Sequence, residues 1–190
     1  FSTTELAYLS IGLIPFVPVY LIMLGMVMGT VVMSSAAFGG GDFMGCGAVW
    51  RRSMPYAAAL GLLGCIVSLF GEELLQVGGQ SLEMANHGGR VMFVLGLGLP
   101  AYLVSMTSSL FLEGVKRPKP AMVMTIAANL VNVALNWMFV YGYIGFPAMG
   151  AEGSAIATAI VRWLLAIALV AYIWWMSGRA KFAVRLAPLG

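Results

Sequence analysis

The sequence predicts an all-α integral membrane protein with five transmembrane helices, and three observations carry that reading. Of 190 residues, 61% are hydrophobic and only 9% are charged, against about 25% charged in a soluble domain. The mean hydropathy is +0.95. The charged residues also fall so as to leave five long apolar runs: Leu6–Gly41, Ser53–Gly71, Val91–Leu112, Pro120–Ala151, and Gly153–Gly178, the last interrupted only by Arg162. About 20 residues rising 1.5 Å each cross a hydrocarbon core of roughly 30 Å. Backbone exposed to lipid must satisfy its own hydrogen bonds, so each run reads as a helix. This composition excludes an ordinary globular enzyme and a disordered chain. Two cysteines among 190 residues likewise exclude a disulfide scaffold.

The spans are expected near residues 10–37, 54–71, 91–112, 121–142 and 154–176. The first is long enough to bend, with Pro15 and Pro18 as the expected places, and Pro100 is the expected bend of the third. Gly25 and Gly29 form a GxxxG, a pattern that allows close helix approach. Gly39, Gly40 and Gly41 before Asp42 read as a turn, since no GK[ST] follows to make a phosphate loop. Pro55 suits a helix start, Pro118 and Pro120 break the chain before the fourth span, and Gly150 with Gly153 frames the turn before the fifth. Cys46 and Cys65 lie on different segments and read as small packing residues.

Charge placement sets an orientation. Arg51, Arg52, Lys116, Arg117, Lys119, Arg179, Lys181 and Arg185 all fall on one side of the predicted spans, whereas the other side has only Arg90. Cytoplasmic loops are enriched in Lys and Arg, so the C-terminus is expected inside and residue 1 outside. The net charge of +3 is thus topological, and without a dense basic stripe interleaved with aromatics no nucleic-acid partner is expected. No basic segment followed by a short apolar stretch opens the chain, which predicts no signal peptide. A non-Met, external start and an odd number of spans predict that one upstream crossing is missing.

Polar residues inside spans are the informative ones, because each is costly unless it meets a partner or water. In the fourth span Thr125, Asn129, Asn132 and Asn136 are spaced 0, 4, 7 and 11, within a sector of roughly 60° at about 100° per residue. Two readings stand. The asparagines hydrogen-bond to neighbouring helices, or they line a hydrated cavity and present carbonyl oxygens to a cation or donors to a substrate.

The fifth span repeats the pattern weakly with Ser154, Thr158 and Arg162. Its hydroxyls can bond back to their own helix, and Arg162 either snorkels or pairs. Ser105, Thr107, Ser108 and Ser109 read as helix packing. His87, with Asn86, Glu83 and Arg90, reads as a solvated external loop residue that lacks the further ligands of a metal site. Glu72 and Glu73 close the second span on the outside. No acid lies mid-span and no Ser/His/Asp set converges, so no intramembrane hydrolase is expected.

From Leu112 to Trp163 the chain carries an LxGxxRPxPAM turn, an NxxNxxLNWxFVYG helix and a GAxGSAIATAI turn. With LAYLSIG at Leu6–Gly12 and FGGGD at Phe38–Asp42, this resembles the multidrug and toxic compound extrusion (MATE) transporters, especially their bacterial NorM-type branch. The resemblance implies a twelve-helix, two-lobed protein of the bacterial inner membrane, of which this chain is helices two to six of the first lobe. It implies export of amphipathic organic cations by antiport against Na⁺ or H⁺, with no cofactor beyond the coupling cation. The partners it implies are those organic cations, the lipid bilayer, and the first helix and second lobe of the same protein.

The resemblance also carries fifth-helix polar residues onto Asn132 and Asn136 and a sixth-helix hydroxyl onto Thr158, beside Asn129 of the stripe. Some members have aspartate where this chain has Asn136. An amide can coordinate a cation but cannot carry a proton. Fourteen methionines, with Trp137, Phe139 and Tyr141 near the stripe, suit adaptable packing around varied ligands. The alternatives are a lipid-linked saccharide or precursor flippase of the same superfamily, for which only Arg162 offers a cation, and a non-transporting membrane scaffold.

Overall fold

The computed structural model describes residues 3–142, 147–178 and 180–184. Residue 1, Arg179 and Arg185, which enter the orientation expected above, lie outside the described residues. Among the described residues eight helices run in order: α1 (Thr3–Val27), α2 (Gly29–Gly39), α3 (Phe43–Leu69), α4 (Gly71–Val77), α5 (Leu82–Leu97), α6 (Leu99–Gly114), α7 (Pro118–Tyr141) and α8 (Gly150–Trp175).

Leu6–Gly39, α3, α7 and α8 are each long and apolar enough to cross a membrane, and α5 with α6 make a fifth such span, bent by 43°. The first span is interrupted at Met28, between α1 and α2, and not at its prolines. Pro15 and Pro18 sit inside an unbroken α1. The third bends at Gly98, where Pro100 occupies the first turn of α6.

Several helix ends differ from those expected, and each has a local cause. The second span starts at Phe43 and not near residue 54, because the Asp42 carboxylate accepts the Gly45 N–H at 2.8 Å and caps α3. Arg51, Arg52 and Pro55 then lie inside the helix, with the Arg51 guanidinium donating to the Ala183 carbonyl. The third span starts at Leu82, nine residues before 91, because Ser81 caps α5 by accepting the Met84 N–H at 3.4 Å. His87 is therefore a helical residue, not a loop residue. Its ring stacks on Tyr8 of α1 with centroids 4.4 Å apart. Glu72 and Glu73 belong to the short α4. Gly150 begins α8, so Gly153 is helical and does not frame a turn.

The packing has two chemically distinct ends. At one, Phe182 enters an aromatic cluster, edge-on to Phe43 and Phe111, within a core that includes Trp50, Leu169 and Ile173. Cations gather around it: Lys181 lies over Phe43, Arg117 over Phe182 and Lys116 over Phe38. At the other, Tyr8 donates to Glu83 at 3.0 Å, and Arg90 faces Glu152 at 3.7 Å across the gap between α5 and α8.

Between these ends the helices approach through small residues. A Cβ on Gly61 of α3 would lie 2.3 Å from the Pro100 Cα of α6. The Ser108 hydroxyl accepts the Trp50 indole N–H at 3.4 Å, and Ser105, Thr107 and Ser108 are buried, as packing residues of α6. Cys46 is buried and free, as is the thiol of the half-buried Cys65. The GxxxG of α1 and α2 makes no such approach, since a Cβ at Gly25 or Gly29 would meet nothing within 4 Å.

Gly61→Ala is expected to separate α3 from α6 and to cost about 1–3 kcal/mol of stability. Gly25→Ala, placed in open space, is expected to gain a few tenths up to about 1 kcal/mol from reduced backbone entropy. Thermal unfolding of the intact protein in detergent checks both. Equal shifts would contradict this packing.

Candidate functional site

The polar stripe belongs to α7, whose local construction is simple. Pro118, at its first position, has no N–H to leave unpaired. At the far end Gly142 takes the left-handed conformation, φ 73°, and its N–H closes on the Met138 carbonyl at 3.1 Å. The helix rests mainly against α8, with a lesser contact to α6. Only Ala121, Phe139 and Val140 of α7 are buried.

Thr125 and Asn129 are exposed on this helix, and Asn132 and Asn136 are half-buried. The structure brings the last two together. The Asn136 amide donates to both the backbone carbonyl and the side-chain Oδ1 of Asn132, each at 2.9 Å. Both bonds stay within α7, so among the described residues no side chain of the stripe bonds to another helix. The Thr158 hydroxyl likewise donates to the Ser154 carbonyl of its own helix at 2.9 Å. It does not hydrogen-bond to the α7 amides. Of the two readings of the stripe, the one that joins helices finds no hydrogen bond here to support it. Among the described residues the Asn132 amide hydrogens and the Asn136 Oδ1 take no part in these bonds. The oxygen is an acceptor that a cation can use, and the hydrogens are donors for a polar ligand.

A second polar group lies deeper and was not foreseen from the sequence. The Tyr20 hydroxyl of α1 and the Tyr102 hydroxyl of α6 are 2.6 Å apart. The Arg162 guanidinium of α8 lies over the Tyr102 ring at 5.2 Å and the Phe16 ring at 5.8 Å, and donates to the Leu95 carbonyl at 3.3 Å. Arg162 therefore pairs inside the bundle and does not snorkel. The available signal was that a mid-span tyrosine and a mid-span arginine both need partners, but their partners come from helices 60 or more residues away.

Residues 1–138 match the sequence profile of the family described as MatE. The chain belongs to the MatE family. It is 36% identical over 174 residues, 91% of this chain and 37% of the relative, to the probable multidrug resistance protein NorM of Caulobacter vibrioides. It is 27% identical over 173 residues, 90% of this chain and 36% of the relative, to the multidrug resistance protein PmpM of Pseudomonas aeruginosa. The chain thus spans less than two fifths of the length of these relatives. In three dimensions it is similar to the crystal structure of the eukaryotic MATE transporter AtDTX14, with a TM-score of 0.86 at 17% identity, covering 96% of this chain and 40% of that one. The MatE fold is therefore present as part of one helical lobe. The profile match contains Asn129, Asn132 and Asn136, whereas Thr158 lies beyond it.

The two polar groups should respond differently to substitution. Asn132→Ala or Asn136→Ala removes only a half-buried bond within one helix, so stability should change by less than about 1 kcal/mol. Tyr102→Phe breaks a bond between helices and should cost about 0.6–2 kcal/mol. Chemical denaturation in mixed micelles measures this order, and its reversal would contradict the assigned geometry.

Proposed function

We propose that the intact protein is a multidrug efflux transporter that exports amphipathic organic cations across a bacterial inner membrane, driven by antiport of Na⁺ or H⁺. The observation that carries this reading is the α7 stripe. Asn132 and Asn136 are half-buried and bond only to each other, on a stripe whose Thr125 and Asn129 are exposed. The names of the NorM and PmpM relatives support the same class of activity, which is transport and not catalysis. The remaining helices, a first crossing and a second lobe, would close the cavity from the opposite side, and rocking of one lobe against the other would expose it alternately.

Asn129, Asn132, Asn136 and Thr158 are the proposed binding residues. Because side-chain amides do not take up or release a proton, they serve as ligands for substrate or for a metal cation, and a proton carrier would have to be an acid elsewhere in the protein. The end of the bundle that gathers Arg51, Lys116, Arg117 and Lys181 is proposed to face the cytoplasm. The flippase alternative loses its one offered cation, since Arg162 is already engaged by a carbonyl and two aromatic rings.

Efflux of ethidium from cells expressing the intact protein should fall at least tenfold in the Asn132→Ala, Asn136→Ala double variant at unchanged expression. Unaltered efflux would sink the proposed site. Asn136→Asp should add a pH dependence, because a carboxylate binds a cation only when ionised. Sodium dependence should then be strong where the new carboxylate is ionised and lost as pH falls and it protonates. Sodium-dependence curves that coincide with wild type at every pH would place this residue away from the ion path.

A further inference from the structure

The bend between α5 and α6 is held by side chains of a third helix. In a continuous helix the Leu95 carbonyl would accept the Leu99 N–H, and the Leu97 carbonyl the Ala101 N–H. Pro100 removes the bond that belongs to the Gly96 carbonyl between them, and its ring crowds that carbonyl and favours a bend. Within the bend the Leu95 carbonyl accepts the Gly98 N–H at 3.1 Å. Two consecutive residues of α8 reach these flanking carbonyls. Arg162 donates to Leu95 at 3.3 Å, and the Trp163 indole N–H donates to Leu97 at 3.2 Å. Consecutive helical residues diverge by about 100°, so both can meet one turn only where α8 crosses it closely. Gly98 permits this. A Cβ there would stand 3.0 Å from the Arg162 Cδ and 3.2 Å from the Ala159 Cα.

The guanidinium is fixed from its other sides as well. It lies over Phe16 and Tyr102, and Tyr102 is tied to Tyr20 through their hydroxyls. Among the described residues the only ion pair joins Arg90 to Glu152, so the charge on Arg162 is balanced by a carbonyl dipole and ring faces. The last carbonyls of a helix carry partial negative charge, which suits a cation at that point.

We propose that Arg162 and Trp163 are positioning residues that clasp the α5–α6 span in its 43° bend, by occupying the two carbonyls that a straight span would use for itself. Releasing the clasp leaves the Leu97 carbonyl free for the Ala101 N–H and the Leu95 carbonyl with its Gly98 donor alone, and lets the span relax toward a smaller bend around Pro100. The proposal rests on the fold alone and not on the transport reading.

The test is a distance measured in the intact protein without drug or coupling ion, so it fails independently of the efflux assay. Spin labels are placed at Leu82 and Glu113, both exposed, near the outer ends of the two arms. Each arm of 16 residues is about 24 Å long at 1.5 Å per residue, so full straightening of a 43° bend would lengthen the separation by about 3 Å, the upper bound of the shift while Pro100 keeps part of the bend. Arg162→Met and Trp163→Phe are each expected to shift the distribution toward longer separation and broaden it. Arg162→Lys, which keeps a charge but only one donor head, should restore part of the wild-type distance. Trp163→Phe keeps the ring at a half-exposed position and so supports the test even if Arg162→Met does not fold. A wild-type distribution in the folded variants would overturn the clasp.

Discussion

A backbone carbonyl freed inside an apolar span must find a donor within the protein, and the centre of this structure is arranged around one such place. At Gly98 the third crossing breaks, and Leu95 and Leu97 turn their carbonyls toward α8. The Leu95 carbonyl keeps the Gly98 N–H as a backbone donor, whereas Leu97 takes its donor from α8; an unpartnered polar group in hydrocarbon costs several kcal/mol. Arg162, among the most expensive residues to place in a membrane, is accommodated here by the Leu95 carbonyl and two ring faces. The residues around it fit that placement: Gly98 makes room, while Phe16 and Tyr102 receive the guanidinium faces. Through this one group α1, α5, α6 and α8 are tied together.

Hydrophobic burial alone could not have fixed this arrangement, because lipid tails are as apolar as leucine. Close contact has to come from shape. Gly61 lets α3 lie on the backbone of α6 at Pro100, so the break that exposes two carbonyls on one side also presents a compact backbone on the other. The same proline thereby serves two contacts. At the basic end shape again decides, with Phe182 held among Phe43, Phe111 and the core around Trp50, and with the neighbouring cations lying over aromatic faces.

Whether a feature could be read in the sequence depended on how far its cause lies along the chain. The α7 stripe was legible because its period is local: Asn129, Asn132 and Asn136 share a face in any helix. The five crossings were legible for the same reason. Helix ends were read from charges, and this failed where a cap overrules a charge. Asp42 starts α3 well before Arg51, and Ser81 starts α5 before Glu83, His87 and Arg90. Both caps stood in the sequence, but the boundaries followed the charged residues. The fate of Arg162 was not legible, since Leu95 lies 67 residues away and Phe16 farther still. GxxxG misled, because two small residues permit a close approach but do not supply a partner to make it.

The polar side chains within the spans divide by what they bond to. Tyr20, Tyr102, Arg162, Trp163, Trp50 and Ser108 all bond or pack across helices, and the bundle needs them in order to hold its shape. Asn132, Asn136 and Thr158 bond only along their own helices. Nothing in the packing of the described residues requires them. Three amides and a hydroxyl on one face of α7 would nevertheless be a heavy penalty if that face met lipid, at roughly 1–3 kcal/mol for each unsatisfied group. The face therefore has to meet water, a ligand or another part of the protein. A stripe that costs stability and bonds to no other helix among the described residues has to be accounted for by what lies outside them.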